Sequence, residues 1–165
     1  MATGDLVSVR EYLSTSYRPD CDYVDGVVVE RNLGEYDHAR LQGALIVYFE
    51  ARRKQWSLRA VPEQRVQVSP TRFRVPDVCV VKGEPAEQIF RTPPFICIEI
   101  LSRDDRLSEM QQRVQDYLQF GVPHVWILDP ATRKAYRSTV EALTEVNELR
   151  TADPEIVVPL QALFE

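Results

Sequence analysis

Along the chain, apolar residues recur first at helical and then at strand spacing. Leu6, Val9 and Leu13 fall three and four residues apart and predict a short helix over Ser8 to Leu13. Two β-prone runs then flank Asp25-Gly26 within Asp22 to Glu30, which signals a hairpin. Leu41, Leu45, Tyr48 and Phe49 give a helical stripe from His38 to about Gln55, with Asp37 as its expected cap. Arg65 to Val68 alternates, Ser69-Pro70-Thr71 turns, and Phe73 to Val81 is expected to return as one strand containing Pro76.

A loop rich in proline and charge, Lys82 to Pro94, leads to the strongest strand signal of the chain, Phe95 to Leu101. Both of its faces are apolar, as in a sheet covered on both sides. Ser102 and Asp105 are expected to cap the next helix, whose stripe is Met110, Val114, Tyr117 and Leu118 and whose stop is Gly121. Val125 to Leu128 reads as a further buried strand before a turn at Asp129-Pro130. Strand, helix and strand make a βαβ unit. With the hairpins, the fold class is α/β or α+β around a mixed sheet flanked by helices.

Composition narrows the class. At 165 residues, 44% apolar and 27% charged, the chain is expected to form a single domain over 1–165. A core of that size buries roughly 68–70% of the unfolded surface and needs no disulfide. No apolar run approaches the ~18 residues of a membrane span, and the N-terminus carries no export signal, so a soluble, cytoplasmic protein is expected. Cys21, Cys79 and Cys97 form no Cys-x-x-Cys pair and read as small buried side chains. The net charge is −5, yet residues 40–74 hold eight basic and two acidic groups. That distribution allows a basic face for a phosphate backbone, or simply a solvated helix surface around Arg52, Arg53 and Lys54.

Glu99 is the anomaly. Strand alternation puts it on one face with Phe95, Cys97 and Leu101, in the most apolar strand of the protein. An unpaired charge there costs several kcal/mol, so Glu99 is neutral, paired or bound to a cation. Asp77 is a second acid in an unusual place, after Pro76, where proline removes a ladder bond and marks an edge or bulge. Two carboxylates on rigid neighbouring strands make a hard oxygen site suited to magnesium or manganese. Structural ion pairs are the bland alternative. Arg113 flanks the stripe of its helix and can point toward the sheet, where a fixed cation offsets charge growing on phosphoryl oxygens. His38, on the apolar side of its helix, and Asp22, at the start of a hairpin, are weaker candidates. No Ser/His/Asp set, Gly-rich phosphate loop or zinc spacing is present.

These residues also carry a resemblance. Arg74-Val75-Pro76-Asp77-Val78, Ile98 to Ser102, Arg113 with Tyr117, Gly121-Val122-Pro123, Trp126 and Asp129-Pro130 resemble the Uma-type restriction endonuclease family of the PD-(D/E)XK nuclease superfamily. Asp22 to Gly26, His38 and the closing Leu160 to Phe164 extend the likeness over most of the chain. The resemblance implies a restriction-endonuclease-like fold and a magnesium-dependent DNA endonuclease. Asp77 and Glu99 match the two motif acids, Glu109 an acidic neighbour on the following helix, and Asp22 a glutamate near the first hairpin.

The superfamily's usual lysine would fall at Leu101, and the family's own lysine, on the following helix, at Arg113. Arginine stays charged where a desolvated lysine approaches neutrality, so reduced activity is expected. His124 stands where the family often has glutamate. The sequence thus favours a nuclease with Asp77, Glu99, Arg113, His38 and Asp22 as site residues, Asp77 and Glu99 as metal ligands, DNA as partner and a homodimer by symmetry. The alternative is a nuclease fold without cleavage activity, acting as a nucleic-acid-binding or assembly module.

Overall fold

The computed structural model describes residues 5–32 and 34–165. Helix α1 (Val9–Ser14) starts where Ser8 caps it, the Ser8 hydroxyl accepting the Glu11 N–H at 3.1 Å. Strands β1 (Asp22–Val24) and β2 (Val27–Val29) form the expected hairpin. Asp25 and Gly26 take φ of 49° and 94°, the double left-handed turn that an Asp-Gly pair supplies. Helix α2 (Tyr36–Ala51) buries Leu41, Leu45 and Phe49, as their spacing predicts. It begins two residues earlier than expected, with Glu35 and not Asp37 at the cap position, and breaks at Arg52 before a single turn, α3 (Arg53–Trp56).

Strands β3 (Leu58–Pro62), β4 (Val66–Ser69), β5 (Arg72–Arg74) and β6 (Val78–Lys82) follow. Here the structure corrects the sequence reading. The run from Phe73 to Val81 is not one strand: β5 pairs with β4 and β1, whereas β6 pairs with β3 and β7. Val75-Pro76-Asp77 is the crossing between two sheets, and a proline without an N–H is tolerated there because no ladder bond is asked of it.

Strand β7 (Ile96–Ile100) is buried at every position. Helix α4 (Leu107–Phe120) then leads to β8 (His124–Asp129), parallel to β7, as the βαβ reading requires. Gly121 stops α4 at φ 102°. The start differs from expectation: Arg106 holds the cap position, and Asp105 instead turns back to accept the Ser102 N–H at 2.7 Å and hydroxyl at 3.0 Å. The tail adds β9 (Lys134–Ser138), β10 (Leu143–Val146), β11 (Glu148–Thr151), β12 (Ile156–Pro159) and α5 (Gln161–Phe164).

The result is a mixed α+β fold. A six-stranded sheet runs β10-β9-β8-β7-β6-β3, beside a four-stranded sheet β2-β1-β5-β4 and the β11-β12 ribbon. Ile96, Ile98 and Ile100 pack with Trp126 against the α2 stripe on one face of the large sheet. Cys97, Val125 and Ile127 pack against Met110, Val114 and Tyr117 of α4 on the other. Each such side chain contributes roughly 1.5–3 kcal/mol by leaving water. Among the described residues, no helix is long and apolar enough to cross a membrane.

Candidate active site

The crossing between the two sheets is clamped before it reaches Asp77. The Arg74 guanidinium, 3% exposed, donates Nε to Asp116 at 2.7 Å and Nη1 to Asp22 at 3.2 Å. The other Asp22 oxygen accepts the Val75 N–H at 3.0 Å. Asp22 therefore stands behind the crossing, where burial pushes its carboxyl up and Arg74 pulls it down. It is not among the residues that line the cleft ahead.

Asp77 ties the start of β6 to the end of β7. The β6–β7 ladder ends at Val78 and Ile98, and the Ile100 N–H beyond it donates to Asp77 Oδ2 at 2.7 Å. Oδ1 accepts Arg31 Nη2 at 2.7 Å and faces His38 Nε2 at 3.3 Å. Burial opposes ionisation, but His38, Arg31 and the Ile100 N–H outweigh it and hold the carboxyl below its usual range. The same contact raises the His38 imidazole against the effect of its burial.

Glu99 lies one strand over, on the α4 side of β7, and accepts the Tyr117 hydroxyl at 2.5 Å. It is 1% exposed. Burial pushes it up to about 8, with Asp77 adding to the rise and Arg113 and Arg31 opposing it. Arg113 reaches in from α4. Its Nη2 donates to Asp105 Oδ1 at 3.0 Å, while its buried Nε has no hydrogen-bond partner. Asp105 also accepts Asn32 Nδ2 at 3.0 Å, so one carboxylate fastens the β2–α2 connection to the start of α4.

Asp77, Glu99, Arg113 and His38 thus line one small cleft, with Arg31, Asn32, Ser102 and Asp105. It measures about 10 Å³, room for one water-sized particle. His38 and Ser102 also line a wider cleft of about 370 Å³ beside it. Four of the five residues singled out in the sequence converge here, and Asp22 supports them from behind. Glu109 is exposed outside the cleft. His124 packs on Phe95 at the opposite end of the β7–β8 pair, ring centroids 5.0 Å apart.

Arg31, Asn32 and Asp105 were not foreseen as site residues. Polar residues after a hairpin are ordinary, and Asp105 carries the sequence signature of a cap. Several cations of the basic stretch 40–74 are engaged within the protein: Arg59 pairs with Glu50 and Glu84, Arg72 with Asp25 and Asp116, and Arg52 lies over the Tyr48 ring at 3.8 Å, whereas Arg53 and Lys54 are exposed.

The chain matches the family described as "Uma2: Putative restriction endonuclease" over residues 10–163. It belongs to the Uma2 family. The fold has a close counterpart in the crystal structure of a putative nuclease belonging to DUF820 from Anabaena variabilis ATCC 29413. The likeness has a TM-score of 0.79 at 22% identity and covers 96% of this chain and 97% of that one. A "DrdV-DNA complex" matches with a TM-score of 0.39 at 15% identity over 67% of this chain and 12% of that one, too slight a likeness to build on. No curated protein matches the chain.

No group of three or more His, Cys, Asp or Glu among the described residues is placed to hold a metal ion. Besides Asp105, which is engaged by Arg113 and Asn32, the cleft offers two acids, Asp77 and Glu99. That donor set fits a hard ion of the magnesium type, commonly held by one or two carboxylates with water completing its shell. Glu99, kept largely protonated near neutral pH by burial, is an acid that a neighbouring cation would ionise.

Proposed function

We propose that this chain is a metal-dependent endonuclease that hydrolyses DNA phosphodiester bonds. The observation that carries the reading is the meeting of Asp77, Glu99 and Arg113 in one cleft, from a sheet crossing, a strand and a helix far apart in sequence. Membership of a nuclease family supports it. Asp77 and Glu99 would hold magnesium or manganese, which when bound polarises a phosphoryl oxygen and acidifies water.

The chain's own residues do the rest. Ile100 N–H and Tyr117 hydroxyl fix the orientation of one oxygen on each acid. Arg113 places a permanent positive charge where phosphoryl oxygens gain negative charge. His38, at the rim shared with the wider cleft, is in reach to take a proton from, or orient, an attacking water. Asp22 acts through Arg74 and Val75 by setting where Asp77 stands. Cutting both strands of a duplex calls for two such sites, and a homodimer supplies them.

A second reading is a nuclease fold that binds nucleic acid without cutting it. Arg113 in place of lysine, and the Arg31 guanidinium on Asp77, favour it. The test is nicking of supercoiled DNA with magnesium or manganese by the wild type, Asp77→Asn and Glu99→Gln. The nuclease reading expects cleavage that needs the metal and is lost in both variants. DNA binding without nicking by the wild type supports the second reading.

A further inference from the structure

The most unusual partner of Asp77 is a side chain from outside the sheet. Arg31, between β2 and α2, is 9% exposed and bonds Asp77 Oδ1 at 2.7 Å. His38 approaches the same oxygen at 3.3 Å, and Oδ2 is taken by Ile100. A carboxylate oxygen has two acceptor positions, so Oδ1 is fully engaged. Of the two guanidiniums in the cleft, Arg113 is anchored to Asp105, whereas Arg31 has a second acid at hand: its Nη1 lies 3.6 Å from Glu63, which is 46% exposed.

From this geometry we infer that Arg31 is a placeholder for the divalent ion. It occupies Oδ1 of Asp77, the oxygen that the Ile100 N–H leaves free, and would be displaced toward Glu63 when an ion enters. The inference rests on the proposed metal site and deepens it. A cation cannot bind Oδ1 while Arg31 Nη2 and His38 Nε2 face it, and two positive groups at one oxygen repel. Without Arg31, Asp77 would be a buried carboxylate short of a counter-charge, a state that a divalent ion relieves. The chain would thus take up metal more weakly than its acid pair alone permits, and metal entry would free a guanidinium at the mouth of the cleft.

The test is calorimetric titration of manganese into wild type and Arg31→Gln, with Asp77→Asn as the control for site-specific uptake. Arg31→Gln is expected to bind about tenfold more tightly or better, the scale of a close charge pair removed. As a measurement that needs no folded variant, phenylglyoxal modification of the wild type is mapped by mass spectrometry with and without manganese. Arg31, protected in the metal-free protein, is expected to react faster with the ion present. Equal or weaker binding by Arg31→Gln, or Arg31 labelling unchanged or slowed by manganese, overturns the placeholder. Uptake by the wild type with no gain in the variant leaves the metal site standing, whereas uptake by neither removes both.

Discussion

The Tyr117 hydroxyl donates to Glu99 Oε1 at 2.5 Å, joining the last turn of α4 to the strand that precedes it in a single βαβ unit. Both residues are buried, so no water replaces this donor. Tyr117→Phe leaves a buried acceptor unsatisfied and is expected to lower stability by about 1–3 kcal/mol in urea unfolding. An unchanged midpoint would mean that the two groups are not bonded in solution.

The same acid makes stability depend on pH. Glu99 is held at about 8 in the folded protein by its burial, against 4.5 ordinarily. Between those values the unfolded chain releases a proton that the folded chain keeps. Stability therefore falls as pH rises from about 4.5 to 8, by an amount on the order of a few kcal/mol. Asp77, held low, has the opposite sign and contributes stability that is lost as pH drops below its ordinary 3.8. Urea midpoints at pH 5 and pH 8 check this in metal-free protein. Wild type should lose stability over the interval and Glu99→Gln should lose less, keeping only the contributions of the other raised groups, His38 and Asp22. Parallel profiles would place Glu99 in contact with water.

How far the site could be read from sequence follows from these contacts. Glu99 was conspicuous because an acid in an otherwise apolar strand must be explained, and Asp77 because proline precedes it. The hairpin at Asp25-Gly26, the α2 stripe and the β7-α4-β8 unit were legible because periodicity and turn chemistry are local. The split of β5 from β6 was not, since which sheet a strand joins is decided by partners elsewhere, here the clamp of Arg74 by Asp22 and Asp116. Strands β9 to β12 escaped for another reason. They are short and partly exposed, with β10 exposed at three of its four positions, so their alternation is weak. Arg31 had no local signal at all, because only tertiary structure puts it on Asp77.

That clamp is open to test. Asp22, Arg74 and Asp116 are each buried, and removing one partner of a buried ion pair leaves an uncompensated charge. Asp22→Ala is expected to cost about 3–5 kcal/mol in urea unfolding, with magnesium present or absent. Because Asp22 also holds the Val75 N–H, folded Asp22→Asn should bind manganese more weakly although it removes no ligand. Metal affinity equal to wild type in that variant would confine Asp22 to stability alone.

Arg113 decides how the site works if it cuts. Its Nη2 is committed to Asp105, and its Nε is buried without a partner, an arrangement that costs roughly 1–3 kcal/mol. Lysine at this position lacks the orphaned Nε, and its ammonium is a compact donor that can approach neutrality when desolvated and help deprotonate a water. Arg113→Lys is therefore expected to nick supercoiled DNA faster than wild type, with a rate that climbs between pH 7 and 9 as the ammonium gives up its proton. Arg113→Ala should lose nicking while still binding manganese, since the two acids remain. The time course of nicked plasmid at each pH, beside a manganese titration, separates the three proteins. If Arg113→Lys is as slow as Arg113→Ala, the guanidinium's planar fork is itself what the phosphoryl group requires, and no general-base role belongs to this position.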